Sequence, residues 1–374
     1  MKITAFDPDN RKLRQKFIQL PFDLYQDDPN WVPPLMMDMR LIFNRKRHGF
    51  YQHGDARFLL ATHKGNTIGR LAILDNHGLQ AAPSQRIGHF FFFEAKNDPM
   101  IATSLFDQGI SWAQKQGLNK LYGPKGMTPL DGLGLLVRGF ELRPAFGMPY
   151  NPPYYPQFFS AYGFEKVREI ESGYINQKKF HLPAKVQKAA RLIQERKGFH
   201  VLQLRSRKDL RNAVQLLGEM YNAALSGTEG NVPLSDSDLK TIIQGLLWIA
   251  KPELIKLIIK EDQPIGFMLA YPDISAAIRK TGGRLLPFGW IRCLCEKYHT
   301  SWININGIGI ADEYRGLAGT ALLFSELYKS VSSSGQFKHA EVIQIGEDND
   351  RMRRELEGMG INFYKSHAMY ELDI

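Results

Sequence analysis

Residues 303–324 read I-N-I-N-G-I-G-I-A-D-E-Y-R-G-L-A-G-T-A-L-L-F. The isoleucines in the first part are β-branched and alternate with small or polar residues, which predicts a buried strand. The small residues Gly316, Ala318 and Gly319 then lead into an amphipathic helix. A helix N-terminus carries up to four backbone N–H groups without intrahelical partners and the positive end of the helix dipole. The stretch therefore predicts a strand–loop–helix junction that can bind an anion such as a pyrophosphate through its backbone.

The same residues also fit a plain strand-to-helix junction in which small side chains only allow close packing, since a glycine pattern alone is a weak signal. The downstream sequence adds a second set of elements. Residues 339–345 predict a strand, Asn349 begins a helix, and residues 358–365 end that helix and lead into a further strand. The order and spacing of these parts are more informative than either junction alone.

In this order and spacing, the segment resembles the acyl-CoA-binding part of the GNAT superfamily of N-acyltransferases. In that superfamily an Arg or Gln is followed by x-x-Gly-x-Gly/Ala after a strand, and an Asn begins the next helix. Arg315 takes the lead position here, Ala318 stands where the middle Gly is usual, and Thr320 stands where a Gly or Ala is usual. The resemblance implies that acetyl-CoA or a longer acyl-CoA is the co-substrate and that no metal takes part.

The resemblance also implies which residues hold the acyl donor. In the family, a backbone N–H of the strand meets the thioester carbonyl, pantetheine adds to the edge of the same strand, and the loop amides take the pyrophosphate. Carried over to this sequence, the donor-binding residues are Ile308, Gly309, Ile310, Arg315, Gly316, Leu317, Ala318, Gly319, Thr320 and Asn349.

Acyl transfer to an amine also needs a group that takes a proton from the amine and a group that gives one to the leaving thiolate. The superfamily often has a tyrosine on the helix after the Asn, and Leu356 stands at that place here. The catalytic candidates are therefore Glu341 as a base, Asn306 to hold a water, and Tyr271 at the mouth of a predicted hairpin. Asn304, His339 and Asp273 are further candidates, and each of the six also fits a structural role.

The first half of the chain repeats the order of elements of the second half. We expect an α/β (α+β) fold with two GNAT-like domains, each a mixed, mostly antiparallel central sheet flanked by helices. The predicted division is an N-terminal domain over residues 1–176, a connecting helix over residues 177–197 and a C-terminal domain over residues 198–374. A helix within the C-terminal domain is predicted to begin at residues 235–238 and to end near Ala250.

The N-terminal domain has no clear CoA-binding loop. After its long predicted strand, the chain reads Lys96-Asn97-Asp98-Pro99, with no glycine-rich loop and with a proline at the start of the helix. Proline has no backbone N–H, so this helix cannot offer the same set of free amides. We therefore expect the N-terminal half to be degenerate and the C-terminal half to bind the acyl donor.

Composition limits the classes of partner. The formal charge of +10 and the sequence pI near 9.4 favour anionic partners. Cys293 and Cys295 are the only cysteines, which excludes a disulfide framework, and no Cys/His set has zinc spacing. The N-terminus has no apolar signal core and no apolar run is long enough to span a bilayer, so a cytoplasmic location is expected.

Several functions remain open at this point. The first hypothesis is a CoA-dependent N-acyltransferase, with acetyl as the default acyl group and an amine-bearing small molecule, peptide or lipid as acceptor. The alternatives are a non-catalytic GNAT module that binds acyl-CoA or an acidic partner, and a long-chain acyltransferase acting on a lipid amine. Residues 272–300 are either a packed lid or an amphipathic surface that makes peripheral membrane contact. No sequence feature indicates specific nucleic-acid binding.

Overall fold

The computed structural model of the protein describes residues 1–82, 85–128, 131–225, 248–346 and 349–374. The strands are β1 (Lys2–Phe6), β2 (Gly54–His63), β3 (Asn66–Ala82), β4 (Gln85–Ala95), β5 (Lys120–Gly123), β6 (Leu135–Arg138), β7 (Glu165–Asn176), β8 (His200–Val201), β9 (Lys256–Lys260), β10 (Gln263–Pro272), β11 (Trp302–Ile310), β12 (His339–Gly346) and β13 (Asn362–Asp373). The helices are α1 (Arg11–Leu24), α2 (Met36–Leu41), α3 (Pro99–Lys115), α4 (Tyr155–Tyr162), α5 (Ala184–Lys197), α6 (Arg207–Leu225), α7 (Ser275–Thr281), α8 (Gly289–His299), α9 (Gly319–Ser334) and α10 (Asp350–Gly358).

The chain forms two compact units that are not continuous in sequence. Unit 1 comprises Met1–Ile170, Ala277–Trp290 and Lys365–Ile374, and unit 2 comprises Glu171–Ala276 and Ile291–Tyr364. The mixed α/β class with mostly antiparallel strands is as predicted from the sequence. The helix predicted to begin at residues 235–238 lies outside the described residues, apart from its last residues.

Unit 1 is built on the strand order β1-β2-β3-β4-β5, with the end of β13 beside β5. All of these pairs are antiparallel except β4 and β5, which are parallel. Helix α3 covers one face of the sheet through buried aromatic and aliphatic side chains. The ring of Phe106 on this helix stacks on Phe93 of β4 with centroids 5.2 Å apart. Burial of such large apolar side chains is the main favourable term that holds the unit together.

Unit 2 has the strand order β7-β12-β11-β10-β9-β8, counting only the part of β7 that belongs to it. The pair β11 and β12 is parallel, and β10 is antiparallel to both β11 and β9. Helices α5 and α9 cover one face, where the strand side chains include Ile303 and Ile305. Helix α6 covers the opposite face, where Leu257 and Phe267 lie. The alternation of side chains along a strand assigns every site residue of β11 to one of these two faces.

The unit boundaries differ from the linear division at residues 176 and 198. The segment predicted as a connecting helix contributes Val186, Ala190 and Ile193 of α5 to the core of unit 2. The C-terminal residues Ala368 and Tyr370 instead pack in a core cluster of unit 1. Both segments join a unit through long-range packing, and no local sequence pattern encodes that packing.

The two units repeat a local irregularity in the same place. In unit 1 the β3–β4 register shifts between the pairs Arg70↔Glu94 and Ala72↔Phe91, and Phe92 has a φ of +54°. In unit 2 the β10–β11 register shifts between Met268↔Ile308 and Ala270↔Ile305, and Gly307 has a φ of +108°. Each is a β-bulge on the strand that leads to the helix N-terminus. The repeat supports the internal duplication predicted from element order.

Candidate functional site

Strands β11 and β12 separate part of the way along their length. Their parallel pairing runs from Trp302↔His339 to Ile305↔Val342, although β11 continues to Ile310 and β12 to Gly346. Two local features accompany this separation. Gly307 forms the bulge on β11, and on β12 the backbone N–H of Gln344 donates to Ser172 Oγ of β7 at 3.2 Å. The second half of β11 therefore faces a gap, where an extended ligand can pair with the strand edge.

The gap leads to the N-terminus of helix α9. Between β11 and this helix, a short 3₁₀ turn covers Asp312–Tyr314, and Gly316 and Ala318 have φ values of +85° and +62°. The first intrahelical bond runs from Leu322 N–H to Ala318 O, and Ala318 makes no side-chain capping bond. The amides of the first helical turn are thus left to an external acceptor. The strand–loop–helix junction predicted from the sequence is therefore present, and its anion binding stays a prediction.

The predicted donor-binding residues occupy this junction in different ways. Arg315 is held by Asp312, with Nη2 and Oδ1 2.7 Å apart, and its Nε donates to Ile310 O at 3.3 Å. The N–H of Leu317 donates to Tyr314 O at 3.3 Å, so this amide is already used within the turn. Gly319 and Thr320 are buried at the start of α9. The backbone N–H of Leu317, a predicted donor-binding residue, is therefore not free for a ligand.

Two glycines of this loop lie close to other side chains, and Gly316 also has a φ of +85°, a conformation that favours glycine. A Cβ atom on Gly319 would lie 2.9 Å from Ile310 Cδ1, so the helix start packs directly against the end of β11. A Cβ atom on Gly316 would lie 2.0 Å from Arg351 Nη2. The guanidinium of Arg351, on α10, therefore lies over the loop and adds a second cation beside Arg315. Sequence reasoning missed Arg351, because only the packing of α10 brings it there.

Asn349 lies at the start of the same helix α10. Its Oδ1 accepts a hydrogen bond from Met352 N–H at 3.2 Å, so it is the N-cap residue of that helix. This bond fixes the position of α10 and, with it, Arg351. Leu356, at the place where the superfamily often has a tyrosine, is fully buried in the core of unit 2.

The corresponding junction in unit 1 is closed. The Asp98 side chain accepts a hydrogen bond from Met100 N–H at 2.9 Å, and Pro99 occupies the first position of α3. The parallel pairing of β4 with β5 ends at His89↔Tyr122, and the N–H of Lys125 then donates to Phe90 O at 3.0 Å. A carboxylate thus lies where a bound anion would need positive potential, and the chain itself uses the strand edge.

The three predicted catalytic residues lie close together on the α6 face of unit 2. Tyr271 is the register partner of Asn304, and Asn304 is the register partner of Glu341, so the three side chains form a row across β10, β11 and β12. Tyr271, Asn304 and Glu341 are buried. Asn306, two residues beyond Asn304, donates from Nδ2 to Tyr271 Oη at 3.2 Å. We call Tyr271, Asn304, Asn306 and Glu341 the polar row.

Burial changes the pKa of Tyr271 in the polar row. It raises the pKa of Tyr271 to about 12, an effect that the nearby Asp273 and Glu341 carboxylates reinforce and the Asn306 hydrogen bond opposes. The phenol therefore keeps its proton and is available as a donor at neutral pH. Both Nδ2 and Oδ1 of Asn304 are buried, and neither has a hydrogen-bond partner within the described part of the chain. Such an amide is costly unless it is paired, so Asn304 favours a polar ligand beside it.

The remaining catalytic candidates have other partners. His339 Nδ1 lies 2.7 Å from Tyr174 Oη, and its ring stacks on Trp302. Burial lowers the pKa of His339, so the imidazole is neutral at pH 7. Asp273 Oδ1 accepts hydrogen bonds from the backbone N–H and the hydroxyl of Ser275, where α7 begins. The geometry makes His339 a second base candidate and gives Asp273 a helix-capping role.

An apolar cavity lies on the opposite face of β11, between this strand and α9. Its volume is about 50 Å³ and its surface is almost entirely apolar. Its walls are formed by Ile175, Gln177, Phe180, Ile303, Ile305, Phe324, Leu327, Tyr328, Val331, Phe337, His339 and Ala340. Ile305 is also the last residue of β11 paired with β12, so the cavity adjoins the point where the gap opens.

Comparison with known proteins concerns nearly the whole chain. The chain is 25% identical over 376 residues to Protein YghO of Escherichia coli (strain K12), covering 98% of this chain and 94% of that protein. It is 26% identical over 370 residues to the bacterial ceramide synthase of Caulobacter vibrioides (strain NA1000 / CB15N), covering 96% of this chain and 94% of that protein. No family model matches the sequence.

Solved structures show what the fold is. One similar structure is the tandem GNAT protein from the clavulanic acid biosynthesis pathway, solved without AcCoA. The alignment covers 100% of this chain and 98% of that protein. The TM-score is 0.56 and the sequence identity is 11%, so this similarity is evidence for the fold only. The bulged strand, the gap and the loop before α9 lie in the part of the chain that resembles the GNAT motif. The chain therefore has the tandem GNAT fold.

Proposed function

We propose that this protein transfers an acyl group from acyl-CoA to an amine and that unit 2 binds the acyl donor. The observation that carries the proposal is the separation of β11 from β12 next to the uncapped N-terminus of α9. A strand edge and a cluster of free amides then lie along one path. A pantetheine arm ending in a pyrophosphate presents amides and an anion in the same order.

The chain supplies a distinct contact for each part of the donor. The first-turn amides of α9 would take the pyrophosphate, with Arg315 and Arg351 as neighbouring cations. The edge of β11 beyond the bulge at Gly307 would pair with the pantetheine amides. The thioester carbonyl would then lie near Ile308, where a backbone N–H can stabilise the developing oxyanion. Unit 1 offers neither a free helix N-terminus nor an open edge at the equivalent place.

The polar row supplies the proton transfers on the α6 face. Glu341 lies beside the point where β11 and β12 separate, and its carboxylate can accept the proton that the attacking amine loses. The side-chain amide of Asn304, which has no hydrogen-bond partner among the described residues, can orient the amine. Tyr271, which stays protonated, can give a proton to the leaving thiolate. The acceptor would thus approach from the face opposite the apolar cavity.

We further propose a long acyl chain and a lipid amine as acceptor. The apolar cavity adjoins the point where β11 and β12 separate, and its volume of about 50 Å³ can receive the first methylene groups of a longer acyl chain, which an acetyl group lacks. The relative named bacterial ceramide synthase matches over almost the full length of both chains. A ceramide is a long-chain amino alcohol acylated on its nitrogen. These two observations favour the long-chain alternative over the acetyl group expected from the sequence.

The test is a transfer assay on the full chain. Palmitoyl-CoA or acetyl-CoA is incubated with a long-chain amino alcohol or with a short amine. Release of the CoA thiol and formation of the amide are followed by absorbance and mass spectrometry. We expect amide product from palmitoyl-CoA and the long-chain amine. Binding of acyl-CoA without any turnover would instead favour the non-catalytic module.

Filling the cavity is expected to change the preference for acyl length. Ala340→Val adds two carbon atoms to a buried wall of a cavity of about 50 Å³. Because one or two methylene groups in an apolar pocket discriminate by about tenfold or more, kcat/KM for palmitoyl-CoA should fall at least tenfold relative to a short acyl-CoA. Val331→Ala, which enlarges the same cavity, is the matched control and should not lower it. An equal loss for all chain lengths would place the acyl chain elsewhere.

A further inference from the structure

Residues 279–290 of unit 1 form an exposed apolar and basic surface that the proposed acyl transfer does not use. Leu286, Phe288 and Trp290 have 73%, 72% and 42% of their surface exposed. Large apolar side chains rarely lie so exposed and so near to one another unless they meet a partner. Three cationic side chains, Arg279, Lys280 and Arg284, are exposed in the same segment. We call these six residues the docking loop.

Hydrogen bonds and close backbone packing hold the docking loop in place. Met36 N–H donates to Gly283 O at 2.9 Å, and Gly283 N–H donates to Ile278 O at 3.0 Å. A Cβ atom on Gly283 would lie 2.1 Å from Pro34 O, so the two backbones approach closely. At the other end, Trp290 Nε1 donates to Pro287 O at 3.0 Å. The exposed apolar side chains are therefore presented by a fixed turn.

The net positive charge of this segment indicates an anionic partner. No acidic residue occurs between Asp273 and Glu296, whereas Arg279, Lys280, Arg284 and Arg292 lie within that stretch. A surface with Trp, Phe and Leu beside exposed cations matches the boundary of an anionic bilayer, where aromatic rings lie at the headgroup level and cations contact phosphates. None of the helices in the described ranges is long and apolar enough to cross a bilayer.

We propose that the docking loop binds the surface of membranes that contain anionic lipid. Leu286 and Phe288 insert among the acyl chains, and Arg279, Lys280 and Arg284 contact the lipid phosphates. This proposal does not depend on the acyltransferase activity, since it rests on a different surface. With the lipid amine proposed above as acceptor, membrane binding brings the protein to its substrate, and this consequence alone rests on the proposed function.

The test is co-sedimentation of the full chain with vesicles of phosphatidylcholine alone or mixed with phosphatidylglycerol. We expect binding to the mixed vesicles, little binding to phosphatidylcholine alone, and loss of binding in about 1 M salt, where the Debye length is about 3 Å. The double variant Leu286→Asp/Phe288→Asp should bind at least tenfold more weakly. Met100→Asp is the matched control. Met100 is 70% exposed on α3 of the same unit but lies outside the docking loop, so this variant should bind vesicles as the parent does.

Insertion is read from tryptophan fluorescence. Brominated lipid in the mixed vesicles should quench the parent protein, and Trp290→Phe should lose most of that quenching. Equal vesicle binding by the parent and the double variant would overturn the proposal. So would an absence of binding to the mixed vesicles at low salt. A double variant that changes the oligomeric state but not vesicle binding would identify a second copy of the chain as the partner and would also overturn it.

Discussion

The Glu341→Gln variant is expected to lose between about a hundredfold and ten-thousandfold in kcat, which is the range that a positioned general base contributes. Glu341 is buried beside Asn304 and close to the point where β11 and β12 separate. Glutamine has the same shape and can keep hydrogen bonds, but it cannot accept the proton of the amine. The loss should appear in single-turnover rates of amide formation with saturating acyl-CoA.

Two controls separate chemistry from folding. The thermal unfolding temperature and the Kd for acyl-CoA of Glu341→Gln should match those of the parent, because the donor contacts lie on β11 and α9. Tyr271→Phe removes the proposed proton donor and should lower kcat less than Glu341→Gln does, since water can replace the phenol as donor. If Glu341→Gln keeps the parent rate, Glu341 is not the base, and His339→Gln becomes the next variant to measure.

The Ala318→Asp variant is expected to bind acyl-CoA about a hundredfold more weakly than Ala318→Asn, which corresponds to about 2.7 kcal/mol. Ala318 precedes the first turn of α9 and has a φ of +62°, a conformation that both Asp and Asn tolerate well. The two variants have side chains of the same size and differ in charge. A carboxylate there lies beside the proposed pyrophosphate position, as Asp98 does at the equivalent helix of unit 1.

Titration calorimetry with CoA measures both variants directly. Thermal unfolding without ligand checks that each has folded, and a similar unfolding temperature is expected for the pair. Gly316→Asp is a poorer choice, because Gly316 has a φ of +85° that strains other residues and its new side chain would displace Arg351, so a loss of binding would have more than one cause. Equal affinity of Ala318→Asp and Ala318→Asn would move the pyrophosphate away from this helix.

Local signals in the sequence predicted the central junction. β-Branched residues with a small-residue turn indicated β11 and α9, and the proline at residue 99 indicated that the equivalent helix in unit 1 cannot offer the same set of free amides. These patterns depend on neighbouring residues only, so they can be read without knowing the tertiary structure. The bulge at Gly307 is also a local feature, but its role is visible only once the partner strands are known.

The parts that depend on long-range pairing could not be predicted as a set. Tyr271, Asn306 and Glu341 were each proposed separately, and the register of β10, β11 and β12 is what brings them together. Arg351 reaches the loop because α10 packs beside it. The unit boundaries differ for the same reason, since the end of β13 pairs with β5 in unit 1.

Unit 2 holds the proposed donor site, and the equivalent place in unit 1 is closed. The most direct test is therefore the stoichiometry of CoA binding to the full chain by titration calorimetry. We expect one CoA per chain, because Asp98 and the chain around Lys125 occupy the place in unit 1 that is equivalent to the proposed donor site. Two CoA molecules per chain would show that unit 1 is not closed. An absence of binding at millimolar CoA would contradict the proposal that the gap beside β11 holds an acyl-CoA.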